Sequence, residues 1–83
     1  MNIQIFNLSL NTEDRDLRKL FSSFGSVTSA EVMKDKLSGR SKRNGIIEMP
    51  VDKEARQAIE SLNQTMFDGK MVSVIEFRIN AKW

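Results

Sequence analysis

Two hydrophobic periods take turns along this chain. In residues 2–8 the apolar positions alternate: Ile3 and Ile5 share one face, Leu8 closes it, and Gln4 and Phe6 point the other way, which predicts a half-buried strand. The spacing then lengthens, with Leu17, Leu20, Phe21 and Phe24 at i, i+3, i+4 and i+7 and with Glu13, Asp14 and Asp16 at the end of the helix dipole that favours acids. A helix capped by Thr12 and ended by Gly25 is expected. Residues 26–35 return to period two, Ala30 and Val32 inward and Glu31 and Met33 outward, so they read as a second strand. Residues 36–43 are polar and contain the turn signal Ser38-Gly39, an exposed loop. Residues 44–49 form a third strand, which Pro50 stops because it cannot donate to a ladder. Asp52 is the expected cap of a second helix whose Ala55, Ala58, Ile59 and Leu62 lie on one face, the alanines small enough for close packing on a sheet. Residues 63–70 read as a connector turning at Gly69; Val72 and Val74 then define a fourth strand, with Met71, Ser73 and Ile75 on its other face.

The order strand, helix, strand, strand, helix, strand makes two split βαβ units under right-handed crossovers. The expected class is α+β: a four-stranded antiparallel sheet, both helices on one face, the other face open. No repeat, linker or low-complexity stretch interrupts it, so the open face and the loop above it are the places to seek function.

Composition narrows the chemistry. Eighty-three residues suffice for one domain with an economical core. Without cysteine or histidine the chain has no disulfide, no thiolate or histidine catalysis and almost no route to a zinc site. It also lacks the Gly-x-x-x-x-Gly-Lys-Ser/Thr and Gly-x-Ser-x-Gly patterns, so neither an enzyme nor a cofactor or metal is expected. No signal peptide and no apolar run of spanning length is visible, and the expectation is a soluble, cytoplasmic protein without a membrane partner.

Charge changes the picture through its distribution. The net value is only +2, yet Lys34, Lys36, Arg40, Lys42 and Arg43 stand together against the single acid Asp35. That concentration at one edge of the open face suits phosphates; the plainer reading is a solvated loop rich in lysine. Glu31, Glu48 and Glu76 near the same surface would repel phosphate, keeping a nucleic-acid path to the loop edge and to the Arg78 and Lys82 end. Phe6, Met33, Ile46, Met71 and Ile75 form an apolar stripe that would meet bases, another protein or a second copy of the chain, or would be covered by the C-terminal residues with Phe77 and Trp83.

Residues 1–78 resemble the RNA recognition motif family, which has this ferredoxin-like βαββαβ layout; residues 79–83 follow as a tail. The family's octamer, Lys/Arg-Gly-aromatic-Gly/Ala-aromatic-Val-x-aromatic, falls on Lys42, Arg43, Asn44, Gly45, Ile46, Ile47, Glu48 and Met49. Its hexamer falls on Ile3, Gln4, Ile5, Phe6, Asn7 and Leu8. Supporting pieces are the first helix from Asp14 to Phe21, Phe24-Gly25, the Asp-x-x-Ser-Gly-Arg-Ser-Lys loop at residues 35–42 running on to Arg43, Ala58-Ile59-x-x-Leu62-Asn63 and Gly69-Lys70. The layout is similar to the small single-domain bacterial members. Lys42, Arg43 and Gly45 are read as fitting the octamer. The stacking aromatics do not appear: their places hold Gln4, Asn44 and Ile46. Phe6 stands where the family has a small residue, and Gln64 where it often has a glycine after the second helix, so a rearranged turn is expected there.

The resemblance implies single-stranded RNA as partner. In that reading Lys36, Arg40, Lys42 and Arg43 hold phosphates, Phe6 offers the remaining ring, and Gln4 and Asn44 bond base edges beside Ile46. Arg78 and Trp83 extend the site. The alternative is a protein-interaction or self-association module, a homodimer among its forms, using the apolar open face with little RNA binding.

Overall fold

The computed structural model describes residues 1–77. Its elements are β1 (Asn2–Phe6), α1 (Asp14–Ser22), β2 (Ser29–Lys34), β3 (Ser41–Glu48), α2 (Asp52–Leu62), β4 (Thr65–Phe67) and β5 (Lys70–Phe77). The strands pair antiparallel in the order β2-β3-β1-β5-β4. The α+β layout is the expected one, but the sheet has five strands rather than four. The extra strand comes from residues read as a connector. Asp68 and Gly69 both take positive φ, 51° and 80°, between the paired Phe67 and Lys70, and a two-residue turn of that kind closes a tight hairpin whose twist matches its strands.

The core lies between the sheet and the helices. Ile3 and Ile5 of β1, Val32 of β2, Ile47 of β3 and Val72 and Val74 of β5 meet Leu17 and Phe21 of α1 and Ala55 and Ala58 of α2, all buried, with Leu8 and Met49 at the strand ends. Leu20, Phe24, Ile59 and Leu62 pack around this centre. Period two thus placed Ile3 and Ile5, Ala30 and Val32, and Val72 and Val74 correctly on the inner face. Gly45 is part of the same packing. A Cβ on it would stand 2.6 Å from Leu17 Cδ1 and 2.9 Å from the Glu31 carbonyl oxygen, so α1 rests on β3 where the strand has no side chain.

Both helix starts differ by one residue from expectation. Glu13, not Thr12, caps α1; its backbone N–H donates to Asp16 Oδ2 at 2.8 Å. Thr12 is buried instead, and its hydroxyl donates to Asp68 Oδ2 at 3.0 Å, tying the helix entry to the β4–β5 turn. Val51 occupies the cap of α2, so Asp52 is the first helical residue, where its carboxylate lies 3.8 Å from the Met1 amine. At the far end of α1 the helix stops at Ser22, and Gly25 matters for space: a Cβ there would collide with the Glu54 side chain of α2. None of the helices among the described residues is long and apolar enough to cross a membrane.

Candidate nucleic-acid interface

The outward side chains of the sheet fall into cross-strand rows. Gln4 sits at the centre, opposite Ile46 of β3 on one side and Ile75 of β5 on the other, and Glu31 of β2 lies beyond Ile46. The next row is Asn44, Phe6 and Ser73. Glu48, Asn2 and Phe77 form the third. Gln4, Phe6, Asn44 and Ile46, all predicted site residues, are therefore neighbours on one surface, each half-buried. The Gln4 amide has no partner among the described residues. Asn44 donates one N–H to the Lys42 carbonyl at 3.2 Å, leaving its side-chain oxygen open. Of the acids expected on this surface, Glu31 and Glu48 are there; Glu76 pairs in register with Ile3 and so belongs to the opposite face, a correction that follows from the strand's alternation.

The basic edge is built around a turn. Asp35 Oδ1 accepts the N–H groups of Leu37 at 2.8 Å and Ser38 at 3.0 Å, while the Asp35 and Gly39 N–H groups bond the carbonyls of Arg40 and Asp35, both at 2.8 Å. The N–H donors of Ser38 and Leu37, with the Lys42 charge nearby, hold the Asp35 carboxyl below its ordinary pKa. The single acid of the loop is thus spent on its backbone. Lys36, Arg40 and Lys42 are exposed around it, and strand β3 begins at Ser41, so Lys42 and Arg43 are strand residues rather than loop.

Arg43 differs from its neighbours. Between the pairs Val32 with Gly45 and Lys34 with Ser41 the register slips, and Arg43 sits in that bulge at φ 64°. Its Nε donates to the Leu8 carbonyl at 3.0 Å and its carbonyl accepts the Leu8 N–H at 2.9 Å, so the side chain is a strut to the end of β1 as well as a charge.

A model of the RNA recognition motif matches residues 3–73. The chain belongs to the RNA recognition motif family. It is 38% identical over 69 residues to glycine-rich RNA-binding protein 8 of Arabidopsis thaliana, covering 83% of this chain and 41% of that protein. Among solved structures, RNA-binding protein PG1 superposes with a TM-score of 0.93 at 38% identity, over 99% of each chain. The second RNA recognition motif of yeast poly(U)-binding protein superposes at 0.86 with 25% identity, over 98% of each. The chain spans well under half the length of the Arabidopsis protein.

Within this RNA recognition motif the octamer can be compared position by position. Gly45 and Ile47 are buried as the pattern requires, whereas Asn44 and Ile46 face outward where the pattern has rings. Met49, at the last aromatic place, is buried and bonds to Met1, so that departure concerns the core. Arg43, counted from sequence among the fitting residues, occupies the octamer's glycine, and its left-handed φ gives the physical reason for a glycine there. Arg78 and Trp83 lie outside the described residues.

Sequence reasoning did not bring a second set of residues together. Leu10, Asn11, Thr12 and Glu13 face Lys34, Gly39, Arg40 and Ser41 across a groove at the end of the sheet. Leu10 is 65% exposed. The available signal was a leucine that falls outside the strand period of Ile3 and Ile5 and precedes the acids that open the helix.

Proposed function

We propose that this domain binds single-stranded RNA across its open sheet face, with the phosphates on Lys36, Arg40, Lys42 and Arg43. Phe6 stacks one base; the free Gln4 amide and the open Asn44 oxygen bond base edges, with Ile46 and Ile75 as apolar floor. The observation that carries the reading is the juxtaposition of Phe6, Gln4 and Asn44 with a basic edge whose one acid is engaged by its own turn. Arg78 and Trp83 follow the end of β5 in sequence and are assigned the outer end of the path. The names of the Arabidopsis relative and of PG1, both RNA-binding proteins, support the partner class. Affinity measured against salt tests it. Four phosphates on a single strand give a slope of log affinity against log salt near about −3, and a pool of short RNAs with no salt-dependent binding would sink the reading.

A second reading is favoured by a separate observation. Met66 and Met71, paired across β4 and β5, are 64% and 52% exposed, and Ile75 continues the patch toward the sheet centre. This apolar side, away from the basic edge, suits self-association or a protein partner. Sedimentation at several concentrations separates the cases: a monomer throughout, unchanged by Met71→Asp, removes self-association.

A further inference from the structure

The β4–β5 hairpin has two unlike surfaces. On one, Val72 is buried and Phe67 packs against the core; on the other, Met66 and Met71 stand opposite each other in the ladder, both exposed. Residues facing each other across antiparallel strands have Cβ atoms about 4.5–5.5 Å apart, so the two thioethers make one surface. Ile75, on the same side of β5, extends it.

The chain has five methionines, and they differ in access. Met49 is buried, Met1 and Met33 are half-buried, and Met66 and Met71 alone are exposed. The hairpin is held to the rest of the fold without them. Asn7 Nδ2 donates to the Met71 backbone carbonyl at 2.8 Å, the Gln64 N–H donates to the Val72 carbonyl at 2.8 Å, and the Thr12 hydroxyl donates to Asp68 Oδ2 at 3.0 Å. None of these bonds uses a methionine side chain. An accessible, polarizable sulfur on a fixed frame is open to oxygen transfer, and a sulfoxide there adds a polar group on the side of the strand that faces away from the core.

We propose that Met66 and Met71 form a reversible oxidation site that turns the apolar side of the open face polar while leaving the fold intact. The thioether sulfur attacks one oxygen of a hydroperoxide. The S–O bond forms as the O–O bond breaks, and the proton of the transferred oxygen passes to the leaving oxygen, which departs from hydrogen peroxide as water. Sulfur is oxidised by two electrons and the peroxide is reduced. The site does not depend on RNA binding; in a chain that meets another protein through this patch, it sets whether the contact forms.

The test is a hydrogen peroxide titration of the full chain, read by peptide mass mapping, by retention on a phenyl matrix and by urea unfolding. Met66 and Met71 gain oxygen first, and Met49, which peroxide reaches only when the domain opens, lags more than about a hundredfold. Retention falls as the pair is oxidised, the unfolding midpoint holds, and methionine sulfoxide reductases restore both mass and retention. The double variant Met66→Leu, Met71→Leu, exposed changes of similar volume, keeps its retention at the same peroxide dose, whereas Met33→Leu loses it as the unaltered chain does. Met49 oxidised in step with the pair, a midpoint that drops with the first oxygens, or a double variant that still loses retention overturns the proposal.

Discussion

The two faces of β3 are made by one run of residues under different constraints. On the inner face Gly45, Ile47 and Met49 are buried, and each answers to a neighbour: Gly45 to the Leu17 side chain above it, Ile47 to the core, Met49 to the Met1 backbone. On the outer face Asn44 and Ile46 are half-buried and Glu48 is exposed, and Asn44 and Ile46 stand where the family's octamer has rings. Because successive side chains point to opposite faces, the outer positions can change without touching the packing beneath. Fold and binding chemistry are thus separable along a single strand.

The sharpest way to break that statement is to substitute neighbours on the two faces. Ile47→Ala, which leaves a cavity in the core, is expected to cost about 2–4 kcal/mol in urea unfolding. Ile46→Ala, one residue away, is expected to cost under about 1 kcal/mol, since a half-buried side chain loses less surface. Equal losses would mean that the outer face is structural. Gly45→Ala comes next, at about 1–3 kcal/mol, because the added methyl meets Leu17 and the Glu31 carbonyl oxygen, and that backbone atom has little room to yield.

Binding reverses the ranking. Ile46→Phe returns a ring to an octamer position and is expected to tighten a short single-stranded RNA by about tenfold while leaving the unfolding midpoint nearly unchanged. Phe6→Ala is expected to weaken the same RNA by about tenfold, as loss of one stacked base. Fluorescence titrations on both variants measure the pair, and a wild-type affinity indifferent to either would show that bases do not lie on this face.

The contrast also explains what the sequence let be read. Burial repeats, so Ile3, Ile5, Val72 and Val74 announced the inner face by spacing, and Leu17 and Phe21 announced α1. Local backbone choices do not repeat. Asp68-Gly69 was a hairpin signal, yet the three-residue β4 before it was too short to show a period. The cap at Glu13 is a local bond to Asp16, but the bond that takes Thr12 to Asp68 is a contact 56 residues distant, which no local pattern encodes. At the site, alternation showed that Gln4, Phe6, Asn44 and Ile46 face outward; that Arg43 is a strut and that Leu10 borders a groove follow only once the bulge joins β3 to the end of β1.

Left-handed positions give a smaller test of the same division. Gln64 takes φ 64° after α2, its N–H bonded to the Val72 carbonyl at 2.8 Å, which is the rearranged turn anticipated where relatives favour glycine. The backbone bond does not use the side chain. Gln64→Gly is therefore expected to stabilise the domain by about 0.5–1 kcal/mol in urea unfolding and to leave RNA affinity unaltered. Arg43→Gly removes the same kind of strain but also the bond from Nε to Leu8, so it is expected to gain less than Gln64→Gly, and to weaken RNA binding.

The mildest effect belongs to Asp35, on the exposed side of the comparison. Its folded pKa is lowered, first by the N–H of Ser38, then by that of Leu37, with Lys42 adding a smaller share. A depressed carboxyl contributes order that is complete above its unfolded pKa and fades as pH falls through the folded one. The window therefore opens below about pH 4, the ordinary aspartate range, and extends to more acid values. Amide shifts of Leu37 and Ser38 followed down in pH are expected to titrate with a midpoint below that of an unstructured aspartate, while Ile47 and Val74 amides hold still until global unfolding. If the loop amides move only with those of the core, the turn has no independent switch, and the basic edge is as rigidly coupled to the inner face as β3 itself.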